Sequence, residues 1–469
     1  MMKMRIERDG LGELQIPDEA YYGSVAERHR VCFDVGPFNL DDYECYVKAV
    51  ALIKIACARA NAEIGALDAD KAKLIEAAAR EVADGRFAGN FNINIFRGSG
   101  TPLNAAVNEV IAHRANELLT GDKTKGGIHP NTHVNMAQSS NDVIPSAKDI
   151  VIYWEFEKLI AAADLLADTL EKKAREFADV LKLGRTGLQD AVPETLGQIL
   201  KAYAVGIRRM EVRLKTEKAR WNHSCLGGTA VGTGMGCLPG FRAVIHKHLS
   251  DVLGREMTAE ENLMDGMMAI DGLIIAHAHM TALATEVWKL VRDIRIMASG
   301  EASGLKEVTI PAKKAGEPDW SELTISVTNR VTAGQSGVLL GVQSGWLDLG
   351  ASSGIPIRTL IASGDMLSNA ITLYTKKVLA GLKANREHSA EIAGKSASLS
   401  TVISTIFGYE IGTKVAHYAI EHDLSCKEAA LELKVLPSEV IEDLFDLPNL
   451  VDPDRMEALF AKYSAYRKV

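Results

Sequence analysis

Apolar positions recur at helical spacing over most of the chain. Between residues 150 and 177, Leu159, Ile160, Ala163, Leu166, Ala167 and Leu170 fall on one face of an amphipathic helix. A second helix is predicted to start at Pro193, a favoured first-turn residue, and to run through Leu196, Ile199, Leu200, Tyr203, Ile207 and Met210. A third spans about 271–298, and its "GLIIAHAHMTALATEVWKLV" is apolar almost all round. Such a helix is buried on most faces, which predicts the middle of a bundle completed by other subunits. A fourth helical rhythm covers roughly 364–386. The N-terminal third holds shorter helices, interrupted by polar loops at 88–104 and 121–142. Beyond 390, short helices are broken by "LPSE" and "LPNLVDP". No repeat or low-complexity linker is visible, and strand signal is slight. The pattern predicts an all-α chain in three parts: a mainly helical 1–141, a central long-helix bundle 142–390, and a small helical 391–469.

Composition narrows the class. The chain has 469 residues, 47% of them apolar and 24% charged, the balance of a soluble globular protein. A net charge of −8 argues against a nucleic-acid partner, which calls for a basic surface. No segment stays apolar long enough to span a bilayer, and "MMKMRIERDG" lacks the apolar stretch of a signal peptide. Cys32, Cys45, Cys57, Cys225, Cys237 and Cys426 are scattered without a CxxC pair. That spacing suits reduced thiols in the cytoplasm and offers no metal cluster.

Four polar islands interrupt the helices. "RGSGTPLNAAVNE" (97–109) sets Thr101 before a helix, with Asn104 and Asn108 one turn apart. It reads equally as a helix cap or as a carboxylate pocket of amide and hydroxyl donors. "HPNTHVNMAQSSNDVIPSA" (129–147) gathers Ser139, Ser140 and Asn141 ahead of the long central helix, with more neutral donors than one cap requires. His129 and His133 stand at i, i+4, but no third ligand completes a metal site. His133 reads as a residue orienting substrate or as a structural histidine. "GRTGLQDAVPETLGQ" (184–198) contributes Thr186. The glycines of "CLGGTAVGTGMG" (225–236) follow a helical segment, not a strand, so they read as a close-approach turn and not a dinucleotide loop.

In this order and spacing the islands resemble the aspartase/fumarase superfamily, in particular its aspartate ammonia-lyase branch. "MRIERDGLGELQIPDEAYYG" is similar to that branch's opening, and "ASGEASGLKEVTIP" (298–311) to its lead-in to the catalytic loop. The C-terminal "CKEAALELKVLPSEVIEDL" extends the likeness over most of the chain. The resemblance implies a three-domain fold and a homotetramer whose central helices form one bundle, with each active site built from three subunits. It implies cofactor-free elimination from a small amino-acid or betaine substrate. Thr101, Ser140, Asn141 and Thr186 would bind the carboxylate, and a base would remove a proton from the carbon beside it.

One stretch departs. The family's loop carries Gly-Ser-Ser, Met-Pro, then Lys and Asn, the second Ser acting as base. A gap-free reading here gives "AGEPDWSELTIS": Gly316 is kept, Glu317 and Pro318 replace the serines, Leu323 the Lys and Ile325 the Asn. Arg330 stands where the family has a Glu. Losing a charge-assisted contact to a carboxylate removes about 1.5–3 kcal/mol unless something replaces it. Three readings follow. A carbon–nitrogen lyase with a rebuilt loop would use Glu317, Glu322 or Ser321 as base, with Asp319 as a further carboxylate and Arg330 as anion partner. Trp320 would then offer its face to a quaternary ammonium, as in an ergothionase-like elimination of trimethylamine from a histidine betaine. An aspartate ammonia-lyase with an unusual loop would need a different register; "GASSGIP" (350–356) has the Ser-Ser but lacks Met-Pro-x-Lys. The third reading is a catalytically silent binding tetramer. Loop closure about Gly316 is expected from the resemblance.

Overall fold

The structure, a computed structural model, describes residues 3–32, 35–300, 302–350 and 354–466. Ser352 and Ser353 of "GASSGIP" lie outside the described residues. The chain opens with an antiparallel hairpin of β1 (Met4–Asp9) and β2 (Gly12–Pro17). It continues through α1 (Ser24–Cys32), α2 (Glu44–Glu63), α3 (Ala69–Ala83), α4 (Ile95–Gly98) and α5 (Thr101–Thr120). A wide turn over Pro130–Val134 leads to α6 (Ser140–Glu176). A second antiparallel hairpin, β3 (Leu181–Thr186) and β4 (Gln189–Thr195), precedes α7 (Leu196–Lys218). Then follow α8 (Phe241–Leu253), α9 (Leu263–Met268), α10 (Asp271–Met297), α11 (Trp320–Val342) and α12 (Ile355–Lys377). Shorter helices from Arg386–Lys395 to Pro453–Lys462 complete it.

These elements form two compact units. The first comprises Met1–Ala161, Val212–Ala284 and Asn329–Ser368; the second comprises Ala162–Glu211, Thr285–Thr328 and Asn369–Val469. In the first, Tyr46, Ile53, Ile55, Ile75, Ile93 and Phe156 are wholly buried. In the second, Leu166, Leu170, Leu200, Leu290 and Ile294 are buried on the long helices. Its short C-terminal helices close over a core of their own, centred on Ile403, Val415, Ile441 and Leu444.

Most of the helical face expected in α6 is realised: Leu159, Ala163, Leu166, Ala167 and Leu170 are buried, while Ile160 is half-buried. So is most of the face expected in α7, although that helix starts at Leu196 and not Pro193. Pro193 is a strand residue opposite Leu183, tolerated because a two-stranded hairpin is all edge. The start is set by a reciprocal cap. Thr195 Oγ1 accepts the Gln198 N–H at 3.1 Å, and Gln198 Oε1 accepts the Thr195 N–H at 2.8 Å. The fourth rhythm is also displaced, because α12 begins at Ile355 with Pro356 in its first turn and ends at Lys377. Past that end, Lys383–Ala384 pairs with Val308–Thr309. Finally, 313–326 is not a loop throughout. From Trp320 onward it is the first turns of α11, so Leu323 and Ile325 are helical.

Candidate active site

The first polar island folds tightly because Gly98 leaves no room for a side chain: a Cβ there would meet Ile93 Cγ2 at 2.6 Å. α5 then begins at Thr101. α6 begins at Ser140, where Asp142 Oδ1 accepts the Ser139 N–H at 2.9 Å and Ser139 Oγ accepts the Asn141 N–H at 3.2 Å. The two helix starts meet. Thr101 Oγ1 and Ser140 Oγ are 3.0 Å apart, and Asn141 Nδ2 donates to the Ala230 carbonyl at 2.9 Å. Two N-terminal dipole ends and two hydroxyls at one point favour a bound anion without neutralising it.

Thr101, Ser140 and Asn141 line a cavity of about 530 Å³ in the first unit, together with Lys148, Asp149 and Trp221. Besides Asp149, its wall carries four carboxylates (Glu217, Glu260, Asp265, Asp271) against three cations (Arg97, Lys148, Arg220), a balance that leaves room for a ligand with positive charge of its own. Burial lowers the Lys148 ammonium to about 8. Burial first, then neighbouring Glu260, pushes the Asp149 carboxyl well above its ordinary range.

Behind the corner lies a group that the sequence reading missed. Lys54 of α2 is fully buried, and its ammonium donates to Asn104 Oδ1 at 2.6 Å, Asn135 Oδ1 at 2.9 Å and Gln138 Oε1 at 2.8 Å. Much of the amide richness of the first two islands therefore surrounds a buried cation. A lone Lys within the apolar run "AVALIKIACA" was the signal. Asp142, also fully buried, accepts from Gly227 N at 3.2 Å and Thr229 N at 2.9 Å. It thereby fastens the glycine-rich turn to the start of α6. The positive φ of Gly232 and Gly234 shapes that turn, and an added Cβ would strike Met264 or Arg242. Burial raises Asp142 to about 6 against the pull of these N–H groups.

The remaining expected residues lie elsewhere. His133 is outside the cavity wall; its Nδ1 accepts the His129 N–H at 2.9 Å, and its Nε2 lies 3.3 Å from Lys71 Nζ. Burial, Lys71 and His129 all lower its pKa, so it is neutral at pH 7. Arg330 is exposed on α11 and is not in the wall either. In the second unit, Thr186 is exposed at the tip of the β3–β4 hairpin, beside Gly187 and Leu188 at positive φ.

Glu317, Trp320, Ser321 and Glu322 also belong to the second unit, and most of their polar groups have partners there. Glu317 Oε1 pairs with Lys377 Nζ at 3.1 Å and Oε2 accepts the Lys314 N–H at 3.0 Å. The Lys314 bond first, and Lys377 after it, hold the carboxyl below its usual value, the wrong direction for a base. Lys377 also covers Trp320, its Nζ 5.6 Å from a ring centroid, so the face expected to take a quaternary ammonium already holds a cation. Asp319 caps α11 through the Ser321 and Glu322 N–H groups and pairs with Arg295 at 3.0 Å. Ser321 is buried. Glu322 is exposed, and its carboxylate has no ion-pair partner among the described residues. Among those residues no group of three or more His, Cys, Asp or Glu is placed to hold a metal ion, and no helix is long and apolar enough to cross a membrane.

Comparison with known proteins places these features. Residues 12–317 match a family model described as "Lyase", and the match ends inside the departing stretch. The chain is 32% identical over 462 residues to fumarate hydratase class II of Bacillus subtilis, covering 96% of this chain and 100% of that protein. It is 33% identical over 461 residues to an aspartate ammonia-lyase of Helicobacter pylori, covering 96% and 98%. Among solved structures it is similar to a fumarate lyase:delta crystallin from Brucella melitensis, with TM-score 0.91, 32% identity, and 96% and 100% coverage. It is also similar to a class II fumarase from Schistosoma mansoni, with TM-score 0.90, 28% identity and the same coverage.

Proposed function

We propose a reaction class for this chain from one premise: it belongs to the aspartase/fumarase superfamily of lyases. The reading is a carbon–nitrogen lyase that removes an amine from an amino-acid-type carboxylate and leaves an unsaturated acid. The observation that carries it is the Thr101–Ser140 corner, where two helix starts present hydroxyls 3.0 Å apart to one cavity. The excess of carboxylates in that wall supports a substrate bearing an ammonium group over a simple diacid.

In this mechanism Thr101, Ser140 and Asn141 hold the carboxylate, whose charge grows as the neighbouring C–H bond breaks. The C–H electron pair becomes the new double bond, and the C–N bond breaks with its pair leaving on the amine. Glu322, whose carboxylate has no ion-pair partner among the described residues while Glu317 is tied to Lys377, is the base preferred here, acting in the site of a neighbouring subunit. Ser321 would have to leave its buried position to serve. Thr186, exposed on its hairpin tip, is assigned to the site of a neighbouring subunit in a homotetramer. Leu339 and Leu340 on α11, 48% and 66% exposed in the single chain, supply apolar surface for that assembly. The three-part division at 141 and 390 is kept as part of this proposal.

The test is an ultraviolet and amine-release screen with purified protein. The panel holds L-aspartate, N-substituted aspartates, histidine betaines and ergothioneine, with fumarate and L-malate for hydration. Amine release with a new conjugated product supports the proposal and names the substrate. Interconversion of fumarate and malate without amine chemistry overturns it in favour of a hydratase. Silence across the panel, with ligands still raising the melting temperature, moves the chain towards a binding scaffold.

A further inference from the structure

We infer that Lys54 is a positioning residue for the carboxylate corner: its buried ammonium splints together the two segments that carry Thr101 and Ser140. The inference rests on the proposed role of that corner. An ammonium group has three N–H donors, and here each meets one amide oxygen. Asn104 lies on α5 three residues beyond Thr101, while Asn135 and Gln138 lie on the approach to Ser140. The cation fixes which way each amide points. Asn104 Nδ2 and Asn108 Nδ2 then donate to Asn135 Oδ1 at 3.1 and 3.2 Å, and Gln138 Nε2 donates to the Val134 and Met136 carbonyls, each at 3.0 Å. Take the cation away and Asn104 Oδ1 and Gln138 Oε1 lose their donor, while Asn135 Oδ1 is left with the amide N–H groups of Asn104 and Asn108 alone.

Two titratable groups act on Lys54: Asp142 at the start of α6 and the Cys57 thiol one turn along α2. Burial pushes Cys57 above its ordinary range, so it stays a neutral thiol, and Asp142 supplies the compensating charge. The same burial lowers Lys54 to about 8. A neutral amine keeps two N–H donors and turns a lone pair towards the third oxygen. The splint therefore loosens as pH rises through 8, and carboxylate affinity falls with it.

Hydrogen exchange on the full chain tests this, alongside calorimetric titration with fumarate and L-aspartate as carboxylate probes. Lys54→Met should raise exchange about tenfold or more in 101–108 and 135–141 while leaving 400–444 unchanged. It should also weaken whichever probe binds by about tenfold at pH 7 and abolish the fall in affinity through pH 8. In Lys54→Ala, n-propylammonium, which replaces the deleted atoms, should restore protection where n-propanol does not. Asn104→Asp gives Lys54 an anionic partner and should move the pH limb upward. Unchanged exchange in the two segments, an equal rise in 400–444, or equal rescue by propanol would overturn the inference. If wild type binds neither probe, the reading of the corner falls, while the exchange and rescue results still decide the role of Lys54.

Discussion

At Thr101 and Ser140 two helices begin and turn uncharged hydroxyls towards a cavity; at 313–319 a charged segment runs into the start of one helix and its two carboxylates turn to cationic partners. Glu317 meets Lys377, and Asp319 meets Arg295 while capping α11. The charged segment looked the more chemical of the two in sequence, yet its two carboxylates serve to fix its own position. The corner looked like ordinary capping, yet its hydroxyls face each other and not the backbone. Charge density alone does not mark a site; polar groups left uncommitted by the fold do.

The largest effect that would sharpen this contrast is on turnover. Glu322→Gln should slow amine release roughly 10²–10⁴-fold, the usual worth of a general base, while Glu317→Gln changes it less than about threefold. Steady-state rates on the two variants decide it, and the reverse ranking would return the role to Glu317. Next comes binding. Thr101→Val with Ser140→Ala removes hydrogen bonds to a charged group, each worth about 1.5–3 kcal/mol. Calorimetry should show roughly 10²–10⁴-fold weaker carboxylate binding, with the fold intact by circular dichroism.

Stability is affected at a third level. Asp142→Ala leaves the Ser139, Gly227 and Thr229 N–H groups without an acceptor, for a loss of about 3 kcal/mol in urea unfolding. Because the folded protein raises Asp142 to about 6, it holds that proton more tightly than the unfolded chain does. This contribution to wild-type stability is present below about pH 4 and is lost as pH rises through 6, on the order of 2–3 kcal/mol in all. Asp142→Asn should flatten that limb. Smallest of all, Lys377→Met breaks a partly exposed pair and should change stability by no more than about 1 kcal/mol. A loss of several kcal/mol there would mean that the charged stretch is held far more rigidly than its contacts imply.

The fold class was legible because the apolar rhythm of α6, α7 and α10 is long and regular. Boundaries were less so. Pro193 signals a helix start as well as an edge strand, and only the Thr195–Gln198 pair settles the matter. At the site, Thr101, Ser140 and Asn141 could be found because helix starts have a local signature. Lys54 could not be interpreted, because its meaning depends on amides 50 to 84 positions away in the chain. The partners of Glu317 and Trp320 were hidden for the same reason: Lys377 is distant in sequence, and nothing near residue 317 announces it.

That α11 begins at Trp320 also matters to anyone redesigning the enzyme. Leu323 and Ile325 project from a helix, so their angular spacing is fixed by its pitch and not by a pliable loop. Leu323→Lys with Ile325→Asn would write the family's letters onto the wrong backbone, and no gain of aspartate turnover is expected from it. The interchangeable part is the whole cassette from 313 to 326, together with the Lys377 and Arg295 that anchor it.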